Sequence, residues 1–395
     1  MTTLRGMVYT KDCVFLPGMV IIGGGLMQEV QILETEELSE QEQARYLIPG
    51  LVDVHFHGAA GYDFCDGTKE ALRAIAEYEN EHGITTICPA TMTLSAVELG
   101  RILEVAANWT KEQTGESCVV CEETKREDER VLAQSLRGIH LEGPFIAKEK
   151  KGAQKEEYII PANKEILNGL QEKSDGLIKL VTIAPEMEGA MECIRDLKDE
   201  FHFSIGHTMA DYEIACKAFK AGADHVTHLY NAMKPSNHRE PSVAEAAADD
   251  SNVFVELICD GIHLHPSVVR KAFRIYGDDR VVLISDSMRA TGMTDGEYTL
   301  GGQEVAVKGA LATLADGTIA GSVTNLYECM KQTISMGIPK EVAIKAATIN
   351  PARSIGVEKE VGSIEVGKRA DILVVDENLG IETIMIGGKI VFSII

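Results

Sequence analysis

Two histidines stand one residue apart in the stretch LVDVHFHG, at His55 and His57. Side chains at i and i+2 of a strand point to the same face, so both rings would project together from its end. Four more apolar runs end in a polar side chain of similar type. These are Glu142 in HLEGPF, His207 in IGHT, His228 in VTHLYNAM and Asp286 in ISDS. Imidazoles and carboxylates without a thiolate form the donor set of zinc, iron or a similar divalent ion. A catalytic zinc takes three protein ligands, keeps a place for water and lowers that water's pKa to about 7. The chemistry to expect is hydrolysis of a polarised carbonyl. A carboxylate outside the tightest ligand set would carry the proton, and Asp286 is placed for that. A buried polar group costs free energy unless it is paired. Six such residues in register are therefore hard to explain as packing.

Other residues are candidates for contact with a substrate. The loop HLYNAMKPSNHREP carries Asn231, Ala232 and Arg239, and CDGIHLHP carries Asp260 and His263. Arg239 and His263 are cations near the rim of a very acidic protein; for Arg239 an anion-binding role and a solvated charge both stay open. The run GTIAGS, with Ile319, Ala320 and Gly321, is either a close approach of backbone to ligand or a tight turn. His140 stands two before Glu142 on the same strand face, where it supports the site or simply packs.

These residues need elements to hold them. Eight apolar runs begin at GLVDVHFH and end at VVLISDS, each separated from the next. The intervening segments include KEALRAIAEYENEHG and DYEIACKAFKAG, with apolar residues near helical spacing and glycine at the end. Alternating strands and helices with near-continuous apolar strands give a parallel sheet covered by helices. Eight units make a (β/α)8 TIM barrel, whose chemistry lies at the C-terminal strand ends. Short strand-like runs precede residue 49 and follow residue 354. The expectation is a small β-sandwich domain from residues 1–48 and 355–395, flanking a catalytic barrel at 49–354.

The chain has 395 residues with 38 Lys and Arg against 61 Asp and Glu, a formal charge of −23. Such a surface repels nucleic acid and anionic membranes, so neither is an expected partner. The nine cysteines are scattered, the N-terminus lacks an apolar leader, and no run reaches membrane-spanning length. The chain reads as a reduced, cytoplasmic protein. One C-x-x-C, Cys118 and Cys121, lies within a highly charged stretch from Lys111 to Arg130 expected to be a solvated helix or loop.

At these residues the sequence resembles the amidohydrolase superfamily and, within it, the N-acetylglucosamine-6-phosphate deacetylases. The matching pieces are PGLVDVHFHG, HLEGPF followed by KKGAQ, IGHT, THLYNAM with REP, DGIHLHP, SDSMRATG, AGS and the C-terminal GSIEVGKRADILVVD. The resemblance implies a distorted barrel with a small β-sandwich, in a homodimer. It implies that Glu142, His207 and His228 hold the catalytic metal and that Asp286 is the general base, then the acid to the leaving amine. Asn231, Ala232, Arg239 and His263 match substrate-binding positions, the two cations on the sugar phosphate and Arg239 reaching the neighbouring subunit's site. Ala153 with Gln154, and Ile319 to Gly321, match substrate-contacting stretches. Some members lack the first H-x-H and carry one metal; this chain has it, so one or two ions per subunit are open. Some members have histidine where this chain has Gln154, a position that helps polarise the acetyl carbonyl. An amide can donate a hydrogen bond there but supplies no positive charge. The expected substrate is a phosphorylated N-acetyl amino sugar, in the gluco or the galacto form; an inactive scaffold is the alternative from another class.

Overall fold

The structure is a computed structural model and describes residues 1–114, 131, 132 and 134–394. Each of the eight apolar runs forms a strand: Leu51–Asp53, Ile84–Ile87, Ile139–Glu142, Ile178–Ile183, His202–Ile205, His225–Val226, Phe254–Ile258 and Val281–Ile284. The third to eighth pair in parallel in sequence order, and the first pairs with the second. Bridges from Ile87 to Leu136 and from Ala90 to His140 join the second strand to the third. Backbone bonds from Asp286 N to His55 O (3.0 Å) and from His57 N to Ser287 O (2.7 Å) close the eighth onto the first. The (β/α)8 reading therefore holds.

Helices fill the intervals as the patterns require. Lys69–Glu81 starts at Thr68, whose hydroxyl accepts from Ala71 N, and stops before Gly83. Tyr212–Ala221 starts at Asp211, which accepts from Ile214 N, and buries Ala215, Ala218 and Phe219 along one stripe. Outward-facing strand residues such as Ile139, Val181 and Leu283 share one apolar cluster with these helices. A second cluster, with Val54, Leu180, Ile258 and Ile284, closes the barrel beneath the site.

The chain ends build a separate β-rich domain. Its seven-stranded sheet runs Lys389–Ser393, Ile381–Ile386, Ile372–Val375, Tyr46–Pro49, Thr2–Tyr9, Phe15–Gly23, Leu26–Ile32. Tyr46–Pro49 is the joint, parallel to Thr2–Tyr9 on one side and antiparallel to Ile372–Val375 on the other. One addition goes beyond the sequence reading. After the eighth strand, Gly296–Leu300, Gln303–Lys308 and Leu311–Thr313 form an antiparallel meander, with Leu300 on the wall of the cavity at the strand ends. Helix Ala96–Thr114 takes up the start of the charged stretch; the rest, with Cys118 and Cys121, lies outside the described residues. Among the described residues no helix is long and apolar enough to cross a membrane.

Candidate active site

At the C-terminal ends of the barrel strands a cavity of about 520 Å³ opens, with His57, Glu142, His207, His228 and Asp286 on its wall. His55 lies just behind, fully buried. The first strand stops at Asp53, so both histidines of H-x-H lie just beyond it, on backbone still bonded to the segment after the eighth strand. They still face the same centre, with ring centroids 5.6 Å apart. His207, His228 and Asp286 have left-handed backbone, with φ of 47°, 28° and 49°. Glu142 ends the third strand, and the following Gly143 is required. Its φ is +83°, and a Cβ there would lie 2.0 Å from Thr93 Oγ1.

Glu142 is the hub. Its Oε1 lies 3.1 Å from His207 Nε2 and 3.2 Å from His228 Nε2, and those two nitrogens are 3.1 Å apart. Metal–nitrogen bonds of about 2.0–2.1 Å put tetrahedral donors about 3.3 Å apart, so this triangle has the size of a coordination face. His207 Nδ1 donates to the carbonyl of Lys150 at 2.7 Å, which turns a bare Nε2 inward. A second set shares the carboxylate. His55 Nε2 is 3.3 Å from Glu142 Oε1, and His57 Nε2 is 3.4 Å from Oε2. His55 Nε2 is buried without a hydrogen-bond partner among the described residues. Both sets fit a divalent ion by donor type and spacing. Burial works to raise the pKa of Glu142, but the surrounding histidines outweigh it and hold the carboxyl well below the usual range.

Asp286 faces the set from the eighth strand, with Oδ1 3.3 Å from His57 Nε2 and 3.8 Å from His55 Nε2. Burial opposes its charge, yet the His57 contact and the neighbouring histidines lower its pKa, so the group is an ionised carboxylate able to accept a proton. His57 is the counterpart in the ion-free site: burial disfavours its charge, but Asp286 and Glu142 push it up to about 10, and an ion on Nε2 would take that proton's place.

The profile of the amidohydrolase family matches residues 46–391. The chain belongs to the amidohydrolase family. An N-acetylglucosamine-6-phosphate deacetylase of Bacillus subtilis (strain 168) is 37% identical over 391 residues, covering 98% of this chain and 95% of the relative. An N-acetylgalactosamine-6-phosphate deacetylase of Escherichia coli O157:H7 is 33% identical over 353 residues, 89% of each chain. Among solved structures, N-acetyl-D-glucosamine-6-phosphate deacetylase from Mycobacterium smegmatis was determined as a point mutant with N-acetyl-D-glucosamine-6-phosphate. It superposes with a TM-score of 0.88 at 30% identity, over 99% of each chain.

Within this amidohydrolase the other candidate positions divide. Ala153, Gln154, Asn231, Ala232, His263, Ile319 and Gly321 line the cavity. Ala320 is buried in the cluster behind them. Asp260 is off the wall and holds His263, whose Nδ1 lies 2.7 Å from its Oδ2. Arg239 is exposed on its loop and does not line its own chain's cavity. Gln154 does not aim its amide into open space: Nε2 donates to Glu142 Oε2 at 2.8 Å and Oε1 accepts from Thr93 N at 2.6 Å. His140 is engaged at both nitrogens, with Val54 O at 3.2 Å and Thr182 Oγ1 at 2.7 Å, so it braces the barrel interior and has no free donor for an ion.

Two features of the amidohydrolase site escaped the sequence reading. Glu256, wholly buried on the seventh strand, accepts from His55 Nδ1 and from His228 N, both at 2.9 Å. It fixes the His55 tautomer and the turn that presents His228. Its signal was a single carboxylate inside the apolar run VFVELI. Lys148, Lys150 and Lys151 line the cavity and bring positive charge to it; the charge run KEKK was their trace.

Proposed function

We propose that this chain hydrolyses N-acetylglucosamine 6-phosphate to glucosamine 6-phosphate and acetate, in the breakdown of amino sugars. The observation that carries the reading is the Glu142, His207 and His228 triangle facing the Asp286 carboxylate across one cavity. Glu142, His207 and His228 would hold an ion, zinc or iron by donor type, which would supply positive charge to polarise the acetyl carbonyl and acidify water. Asp286 takes a proton from the attacking water as its oxygen bonds to the carbonyl carbon. It then returns that proton to the sugar nitrogen as the C–N bond breaks. Asn231, Ala232, Ile319 and Gly321 face the sugar from the cavity wall. His263, the lysines at 148, 150 and 151, and Arg239 from a second copy in a homodimer take the phosphate. The exposure of Arg239 and its absence from its own cavity support that arrangement.

The same reading gives a second ion to His55, His57 and Glu142, since the candidate groups exceed the three protein ligands one catalytic zinc takes. Elemental analysis of wild type against a His55→Asn, His57→Asn double variant tests it; equal metal content returns the pair to packing. The domain division near residue 49 is supported by the sheet strand Tyr46–Pro49, which ends just before Leu51 opens the barrel. The site of action is the cytoplasm, in keeping with seven described cysteines that are all free.

The decisive experiment is acetate release from a panel of N-acetylated sugars with and without 6-phosphate. N-acetylglucosamine 6-phosphate should lead in kcat/KM. A lead for the galacto epimer moves the chain to that specificity, which the relative from Escherichia coli keeps in view. No release from any sugar, with no bound metal, makes it an inactive scaffold.

A further inference from the structure

A second cavity, of about 640 Å³, lies between the barrel and the β-rich domain. It shares no lining residue with the catalytic cavity. Arg137 on its wall precedes the third barrel strand, while Glu142 ends that strand. The two are about 16 Å apart along the chain at roughly 3.3 Å per residue, at opposite ends of the barrel.

Its chemistry runs against the rest of the molecule. In a chain of charge −23, this wall gathers Arg137, Lys359 and Arg369, with Glu360 the one carboxylate among the described lining residues. That carboxylate is occupied, at 2.9 Å from Arg137 Nη1. Behind the wall, Asp371 meets Arg369 at Nε, 3.2 Å away, and Arg369 Nη1 donates to Gln134 O at 2.6 Å. Arg369 Nη2 is left without a hydrogen-bond partner among the described residues, although the side chain is only 7% exposed. Arg137 Nε is likewise buried and unpartnered among them. A guanidinium N–H buried without an acceptor is costly, and a phosphate oxygen can accept from it. Among the described lining residues no aromatic ring offers a platform for a base. The volume falls in the range of small-ligand pockets, roughly 300–1,000 Å³.

We propose that this cavity is a second, non-catalytic site for a phosphate group, carried by a sugar phosphate or by free phosphate. The ligand would tie Arg137, at the foot of the strand that carries Glu142, to Arg369 beside the β-rich domain. The motif GSIEVGKRADILVVD thereby gains a role that the catalytic cavity does not use, since Gly367 and Arg369 both line this pocket.

Calorimetric titration of the full-length metal-loaded enzyme tests the proposal, with inorganic phosphate and glucose 6-phosphate as separate probes. Wild type should bind one equivalent more than an Arg137→Gln, Lys359→Gln double variant whose kcat on the acetylated sugar phosphate is unchanged. An Arg239→Ala variant, altered only at the catalytic phosphate, should keep that equivalent. Tighter binding of glucose 6-phosphate assigns the site to sugar phosphates, and tighter inorganic phosphate assigns it to the free ion. If the double variant does not fold, Lys359→Glu at its exposed position should weaken the same equivalent by about tenfold. Equal stoichiometry and affinity in wild type and variant, or an equivalent that disappears with Arg239, overturns the site.

Discussion

Replacing Gln154 with leucine separates two roles for one side chain. In the structure the amide spans Glu142 Oε2 at 2.8 Å and Thr93 N at 2.6 Å. Leucine keeps most of the bulk and removes both bonds. A hydrogen bond to a charged group contributes about 1.5–3 kcal/mol. If that loss falls on the orientation of Glu142, metal affinity drops by roughly 10- to 150-fold, close to what outer-shell substitutions cost at other metal sites. The orphaned Thr93 N adds about 1–3 kcal/mol of destabilisation whether or not metal is present. The assay is chelator competition on metal-stripped protein, with kcat and KM then measured at saturating metal and melting followed in parallel. The expected outcome is weaker metal and a lower Tm. Once metal saturates, kcat and KM should lie within about threefold of wild type, since a side chain that only orients a metal ligand acts through that ligand. Unchanged metal affinity with a large fall in kcat would refute this reasoning. The amide would then act on the acetyl carbonyl, as the family resemblance implied.

Three further outcomes are expected. Asp286→Asn keeps size but removes the base, so kcat should fall by about 10²–10⁴-fold with an unchanged circular dichroism spectrum; a loss below about fivefold removes Asp286 from the proton path. Arg239→Ala should lower kcat/KM for the phosphorylated sugar by roughly 10- to 150-fold. Mixing it with Asp286→Asn chains should restore activity by rebuilding one intact site per dimer, and mixtures no better than the parents mean that the arginine serves its own chain or no phosphate. His263 is buried, which disfavours its charge, but Asp260 and more distantly Asp286 raise its pKa above the usual value. The cation is therefore present at low pH and lost as pH rises through that raised pKa, so KM should climb there. In Asp260→Asn the pKa falls back and the climb should begin at lower pH; a KM profile that does not move means that His263 is not the phosphate's partner.

The parts of the site legible in the sequence are those that a strand end announces. His207, His228 and Asp286 each close an apolar run, and barrel geometry alone brings such positions to one rim. Glu256 was hidden because a lone carboxylate inside an apolar strand carries no spacing, and its partners are far off in sequence, His55 being 201 residues away. Gln154 was legible as a candidate, and it lines the cavity, but its direction was not legible. Only the fold shows that Thr93 and Glu142 take both ends of the amide. The meander after the eighth strand was missed because Gln303–Lys308 alternates exposed and buried residues in a charged, glycine-flanked segment that lacks a long apolar run.

The left-handed backbone at His207, His228 and Asp286 has a consequence for how such a protein ages under mutation. Each L-residue held there costs roughly 1–2 kcal/mol, which glycine would not incur. The proposed chemistry thus stands on three positions where the chain would be more comfortable without it. Released from selection for activity, the gene has a downhill path: Asp286→Gly in the metal-free protein should melt higher than wild type while hydrolysing nothing. A lower Tm for that variant would mean the carboxylate's contacts with His57 outweigh the backbone. Inactive descendants of this fold are then the expected product of drift toward stability, and an intact trio in a living lineage is a mark of continued use.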